Sequence, residues 1–335
     1  MGMNVLVTGS TGFLGQKLAY RLLHEGYDVT ATGRSEREGE RLARAGIRFV
    51  RADLRDAESA AQLAAGQDIV FHCAALSAPW GRYADFYGSN VLGTRHLLNG
   101  CLRHGVSRFV HVSTPSIYFD GRDRCDIAET HPLPRKSANA YAATKLLAER
   151  EVDRASDLGL AAITIRPRAI FGPGDRTILP RLIEANRLGR VPLIGGGLAR
   201  LDVTYVDNVV DALLLCKDAP ERALGRKYNI TNGEPVLLID LLQKLFARLG
   251  QPFRPKRVPF AAAYCAAAGM ELHARLFGQG KEPLLTRYTV GVLGKSQTLN
   301  ISAAREMLGY TPRIGIEEGI AAFAEWWKKE GRERG

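Results

Sequence analysis

Two periods of apolar residues alternate along the first half of the chain. Short runs rich in β-branched residues, Asn4–Thr8, Asp28–Thr32, Ile47–Arg51, Ile69–His72, Arg108–Ser113 and Ala162–Arg166, read as strands. Between them lie segments of helical spacing such as Gln16–Glu25 and Val91–His104, each long enough to cross over a sheet and return the chain parallel to itself. This alternation predicts an α/β fold built on a doubly wound parallel sheet.

After Arg166 the pattern loosens. Phe171-Gly172-Pro173-Gly174 and Gly195-Gly196-Gly197 are turn signals, Val203–Val206 is a further apolar run, and the chain from Val236 is mostly helical and rich in Leu and Ala. No polar linker separates two independent units. The expected organisation is a large domain over residues 1–170, rejoined by 203–232, with a smaller interwoven lobe from 171–202 and 233–330. The longest apolar stretch, Pro259–Met270, falls short of the ~20 residues of a membrane-spanning helix. It is expected to be a buried or interfacial helix.

Composition narrows the class. A chain of 335 residues with 46% apolar content suits a globular enzyme. The formal charge of +11 is spread among acids, with no basic stripe or tail, so it favours small anionic ligands and gives no nucleic-acid partner. Five cysteines (Cys73, Cys101, Cys125, Cys216, Cys265) show no paired spacing, and no His lies at ligand spacing from another His or a Cys. Met1 leads almost directly into a strand-like run, without the basic and apolar segments of a secretory leader. The expectations are a reducing cytoplasm and no metal.

The first chemical signal is Thr8-Gly9-Ser10-Thr11-Gly12-Phe13-Leu14-Gly15, which follows a buried-strand pattern and opens a helix-forming run. Gly9 permits the tight turn, Gly12 lets backbone approach a diphosphate, and Gly15 lets helix and strand pack closely. A plain glycine-rich turn would look similar in isolation; the flanking strand and helix favour a dinucleotide site. At the end of the second strand an NAD site usually carries Asp or Glu, whereas this chain reads Ala31-Thr32-Gly33-Arg34-Ser35. Arg34, with Ser35 or Arg37, suits a 2′-phosphate, so NADP(H) is expected over NAD(H), against the bland alternative of a solvated arginine.

The second signal is Tyr141-Ala142-Ala143-Thr144-Lys145, where helical spacing puts phenol and ammonium on one face. The motif alone is common, but of 11 tyrosines only Tyr141 has lysine four places later. A third group is expected from Val112-Ser113-Thr114-Pro115-Ser116-Ile117-Tyr118. Ser113 and Ser116 compete there, or serve as strand-end caps.

The Gly-x-x-Gly-x-x-Gly turn, Ala52-Asp53-Leu54, His72-Cys73-Ala74-Ala75, Asn90-Val91-Leu92-Gly93-Thr94 and the Tyr/Lys pair together resemble the extended short-chain dehydrogenase/reductase family over essentially the whole chain. The resemblance implies that Gly9, Thr11, Gly12, Phe13, Leu14, Arg34, Asp53, Leu54, Ala74, Tyr141 and Lys145 bind cofactor, with Asp53 beside the adenine and Ala74 beside the adenosine ribose. It aligns Thr114 with the catalytic hydroxyl that holds a substrate oxygen, assigns proton exchange to Tyr141, and gives Lys145 the nicotinamide ribose and the lowering of the tyrosine pKa. Relatives commonly dimerise through helices that include the one bearing Tyr141, which implies a homodimer. Tyr205-Val206-Asp207-Asn208 matches a structural segment, with Asp207 read as a helix cap.

For the substrate, many nucleotide-sugar enzymes of the family carry asparagine shortly after the sixth strand. Here the run is Arg166-Pro167-Arg168-Ala169-Ile170-Phe171. The loop Ala78–Tyr87 is aromatic-rich, and Phe260–Met270 is placed to close over the same pocket. An apolar pocket there suits a steroid-like or fatty substrate, and the runs Ser113-Thr114-Pro115-Ser116, Tyr141-Ala142-Ala143-Thr144-Lys145, Arg166-Pro167-Arg168 and Asn232-Gly233-Glu234-Pro235 together resemble the 3β-hydroxysteroid dehydrogenase branch, especially bacterial 2-alkyl-3-oxoalkanoate reductases. That implies interconversion of a ketone and a secondary alcohol on a β-keto acid or steroid-like substrate, bordered by Trp80, Arg82 and Arg168, with Arg82 or Arg168 pairing a carboxylate. Two alternatives stand beside it: a nucleotide-sugar epimerase or dehydratase, which Arg200 keeps open, and a non-catalytic NADP(H)-binding protein.

Overall fold

The computed structural model describes residues 2–278 and 281–333. Its central sheet has seven parallel strands in the order Lys227–Ile230, Ala162–Pro167, Arg108–Val112, Ile69–His72, Asn4–Thr8, Asp28–Gly33, Arg48–Arg51. The strands read from sequence appear with ends shifted by at most one residue, and all but the half-exposed edge strand Arg48–Arg51 are buried along both faces. Val5, Leu6 and Val7 have no exposure at all, and the Phe13–His24 helix lays Leu14, Leu18, Ala19 and Leu22 against this core. The architecture is a Rossmann-like α/β fold.

Sequence order reverses beside the first strand: Asn4–Thr8 pairs with Asp28–Gly33 on one side and Ile69–His72 on the other. Doubly wound sheets bind ligands at the carboxyl edge of such a switch point. A second, four-stranded sheet runs Val236–Leu237, Arg200–Leu201, Gln297–Leu299, Arg124–Ile127. A separate core of Leu179, Ile183, Leu193, Leu242, Phe246, Ile320 and Phe323 fills the late segments. Lys227–Ile230 joins the large sheet by pairing with Ala162–Pro167.

Two local expectations need correction and a third gains detail. The Val91–His104 helix begins at Gly93 and is preceded by a π-helical turn over Tyr87–Leu92, a distortion frequent at functional sites. Asp207 is not a cap: it lies in the first turn of the Val206–Lys217 helix with no capping bond, where its charge complements the helix dipole. Asn208 makes the structural contacts instead, accepting from the backbone N–H groups of Arg313 and Ile314, both at 3.0 Å. Pro259–Met270 extends into a helix over Phe260–Phe277 that is buried along only one face, at Ala263, Ala267, Glu271 and Ala274; Tyr264, Leu272, Leu276 and Phe277 are exposed. No described helix is long and apolar enough to cross a membrane.

Candidate active site

The glycine turn occupies the carboxyl end of the first strand. Gly9 has φ +67°, and a Cβ there would lie 2.7 Å from the Ala74 backbone; a Cβ on Gly15 would lie 2.4 Å from the Gly9 carbonyl. Side chains are excluded from both positions. Gly12 begins the Phe13–His24 helix with extended backbone and no side-chain cap, which leaves the first-turn N–H groups of Phe13 and Leu14 available to an anion. Thr11 packs against Gly33, where a Cβ would come within 2.5 Å of its hydroxyl.

A cavity of about 270 Å³ opens from this turn and is lined by Gly9, Thr11, Gly12, Gly33, Arg34, Asp53, Leu54 and Ala74, among others. Phe13 and Leu14 lie outside that lining, with Leu14 in the core and Phe13 beside Gly174. Asp53 is held by Arg55 Nε at 2.9 and 3.0 Å, and that hydrogen bond keeps its carboxyl below the usual range. Arg34 is exposed at the rim, while Ser35 accepts from Glu38 N as cap of the Glu36–Arg44 helix. The cavity, the backbone donors and Arg34 fit a dinucleotide.

Next along the sheet edge, the Arg108–Val112 strand ends and delivers Ser113 and Thr114. Thr114 caps the 3₁₀ turn Pro115–Tyr118, accepting from Ser116 N at 3.2 Å and donating to Ser116 Oγ at 3.0 Å. Asn139 caps the Ala140–Asp157 helix by accepting from Ala142 N, so the first turn of that helix carries Tyr141 to Thr114. The Tyr141 phenol interacts with the side chains of Ser77 and Thr114, both of which act to lower its pKa. Of the three candidate hydroxyls, Thr114 is therefore the one on the tyrosine. Ser113 Oγ is buried without a partner, and Ser116 Oγ meets Tyr288 Oη at 2.7 Å.

Lys145, one turn below, is 1% exposed and donates to Val112 O at 2.8 Å and His111 Nε2 at 3.2 Å. Burial lowers its pKa to about 8. The same lysine charge and, more strongly, burial hold His72 to about 3, so the stacked His72 and His111 are neutral. Here one expectation changes: burial raises Tyr141 above the ordinary phenol value, and the side chains that oppose this are Ser77 and Thr114, while the lysine ammonium is directed at Val112 and His111.

Asn90, within the π turn, exchanges two hydrogen bonds with the Leu76 backbone and donates to Thr144 Oγ1. It fixes the loop bearing Ser77 against the Ala140–Asp157 helix. Trp80 faces Arg275 of the Phe260–Phe277 helix, 5.6 Å from guanidinium carbon to ring centre, so that helix does reach the aromatic loop. Arg82 is exposed at the start of the Tyr83–Phe86 turn, whereas Arg168 is buried just past the Ala162–Pro167 strand. Ser77 and Tyr288 were not among the candidates read from sequence.

The sequence profile of the NAD dependent epimerase/dehydratase family matches residues 5–231. The chain is 38% identical over 329 residues to 2-alkyl-3-oxoalkanoate reductase of Stenotrophomonas maltophilia, covering 95% of this chain and 97% of the relative. It is 31% identical over 322 residues to mouse sterol-4-alpha-carboxylate 3-dehydrogenase, decarboxylating, covering 94% and 88%. Among solved structures it resembles MoeE5 in complex with UDP-glucose and NAD, with TM-score 0.77 and 27% identity over 98% of this chain and 99% of the other. The chain belongs to the NAD dependent epimerase/dehydratase family, that is, to the extended short-chain dehydrogenases/reductases.

Proposed function

We propose that this oxidoreductase interconverts a ketone and a secondary alcohol on an apolar β-keto acid or steroid-like substrate, using NADP(H). The observation that carries the reading is Tyr141 set against Thr114 on the first turn of the Ala140–Asp157 helix, with Lys145 buried beneath it, at the carboxyl edge of the sheet beside the glycine turn. Gly9, Thr11, Gly12, the first-turn N–H groups of Phe13 and Leu14, Arg34, Asp53, Leu54 and Ala74 hold the dinucleotide, and Lys145 is positioned for its nicotinamide ribose. The bound cofactor supplies or accepts the hydride and, when oxidised, a positive ring that offsets the burial of Tyr141.

A substrate oxygen seated between Tyr141 and Thr114 receives the phenolic proton from one side and, once the Thr114 hydroxyl turns from Ser116 Oγ, a second donor from the other. Tyr141 gives its phenolic proton to the carbonyl oxygen during reduction and recovers it from the hydroxyl during oxidation. Asn90 and Ser77 hold the phenol in place. The relatives named as reductase and 3-dehydrogenase support a net redox reaction. As in other family members, the chain acts as a homodimer through helices that include Ala140–Asp157.

The MoeE5 complex with UDP-glucose favours a second reading, a nucleotide-sugar epimerase or dehydratase. Against it, the run Arg166-Pro167-Arg168-Ala169-Ile170-Phe171 lacks the asparagine that many of those enzymes carry shortly after the sixth strand. A turnover screen of β-keto acids, steroids and UDP-sugars with NADPH and NADH separates the two. Net NADPH oxidation by ketones is expected; conversion of UDP-sugars without net cofactor consumption would replace this reading by the second.

A further inference from the structure

Two buried arginines leave the same strand end and meet opposite fates. Arg166 donates to both oxygens of Glu149, at 2.9 and 2.6 Å, and to the Tyr118 hydroxyl, so each of its nitrogens has a partner. Arg168, 7% exposed, donates through Nη1 to the neutral amide oxygen of Gln297, and its Nε is buried with no partner among the described residues. Among the described residues no carboxylate lies within ion-pair distance of Arg168. Asp202, whose carboxylate acts on it only at a distance, accepts from Leu299 N at 2.7 Å through one oxygen, and among the described residues its other oxygen is buried without a partner. A guanidinium keeps its charge at any working pH, and burying it without a close counter-ion is strongly unfavourable.

The backbone gives Arg168 no freedom to escape. Its N–H donates to Ile230 O at 3.2 Å, its carbonyl accepts from Thr204 Oγ1 at 2.6 Å, and Ala169 beside it sits at φ +43°, a region unfavourable for alanine. Strain and an uncompensated charge held side by side are characteristic of ligand sites.

The charge is also connected to the reacting hydroxyls. Tyr288, on the Arg287–Gly294 helix, lies in the field of Arg168 and of Tyr141. Its hydroxyl bonds to Ser116 Oγ at 2.7 Å, and Ser116 Oγ accepts from Thr114 Oγ1 at 3.0 Å. Two hydrogen bonds therefore separate the residue that would hold the substrate oxygen from the tyrosine that Arg168 acts on electrostatically. That is the reach of a carboxylate carried two carbons from a reacting carbon.

We propose that Arg168, with Tyr288 and Gln297, forms an anion subsite that takes a carboxylate β to the carbon undergoing hydride transfer, which makes these residues the determinants of acid over neutral ketone. The proposal rests on the oxidoreductase reading above and chooses Arg168 over the solvent-exposed Arg82. Two ordered donors on a desolvated carboxylate, one of them charged, discriminate strongly against an ester that offers no negative charge.

The test uses the full-length chain with NADP⁺ and three stable alcohols of equal chain length: a 3-hydroxyalkanoate, its methyl ester, and the corresponding secondary alcohol without the carboxyl group. For the wild type, kcat/KM on the acid is expected to exceed that on the ester by at least about 30-fold, equivalent to about 2 kcal/mol. In Arg168→Met and in Tyr288→Phe that ratio is expected to fall at least tenfold, and in Arg168→Lys to fall less than in Arg168→Met. A wild-type enzyme that oxidises acid and ester equally well would overturn the subsite while leaving the oxidoreductase reading intact, and it needs no variant. So would variants that fold and lower both activities in parallel, the result of a merely structural role. If none of the three alcohols is oxidised, the underlying reading fails first and the subsite with it.

Discussion

Lys145 Nζ donates to the Val112 carbonyl at 2.8 Å, which fastens the Ala140–Asp157 helix to the end of the Arg108–Val112 strand and sets Tyr141 over Thr114. The fastening places an ammonium among neutral histidines, at the cost of its solvation.

That cost has a pH signature in the cofactor-free protein. With Lys145 lowered to about 8 in the folded chain and near 10.4 when unfolded, the unfolded state binds the extra proton between those values, so this group's contribution to stability rises with pH across that window. Below about pH 8 the penalty is present in full, about 3 kcal/mol. Urea denaturation of wild type and Lys145→Met at pH 7 and pH 10.5 should show the difference moving by that amount in favour of the wild type. A difference independent of pH would contradict the assignment.

Arg34 stands at the cavity rim without an acidic residue beside it in the strand-end sequence. If it binds a 2′-phosphate, Arg34→Ala weakens NADPH by roughly 10- to 100-fold, the worth of one or two charge-assisted hydrogen bonds, and leaves NADH within about threefold. Fluorescence titration with both cofactors checks this. Equal losses for NADPH and NADH would return Arg34 to the role of a surface residue.

The Arg166–Glu149 pair is a structural counterpart to the site, with side chains 4% and 2% exposed. Glu149→Ala strands a buried guanidinium and should lower the unfolding free energy by about 3–5 kcal/mol, whereas Arg166→Met combined with Glu149→Leu should recover most of that loss. Chemical denaturation of the three proteins is the measurement. A double variant as unstable as the single one would mean that Tyr118, which Arg166 also contacts, depends on the charge.

What could be read in the sequence was local. The glycine turn announces itself because Gly9 and Gly15 are each enforced by a neighbour closer than 3 Å within or beside one βα unit, and Tyr141 and Lys145 because one helical turn joins them. Tyr288 was invisible for the opposite reason: 172 residues separate it from Ser116, and no periodicity spans that distance. Arg166 and Arg168 look equivalent in Arg-Pro-Arg; only packing gives one a carboxylate and denies it to the other. Lys227–Ile230 escaped as a strand because Lys-Tyr-Asn-Ile is short and half polar, and its asparagine is buried through bonds to Ile127 O and Tyr118 Oη.

The central claim is that Tyr141 exchanges the substrate proton during hydride transfer. The most direct measurement is the steady-state rate of NADPH oxidation with a β-keto acid for wild type and Tyr141→Phe, with cofactor affinity measured alongside. The account predicts a loss in kcat of roughly 10²–10⁴-fold, the usual contribution of a positioned general acid, with NADPH still bound by the phenylalanine variant. A Tyr141→Phe enzyme that retained wild-type turnover while binding cofactor normally would contradict it.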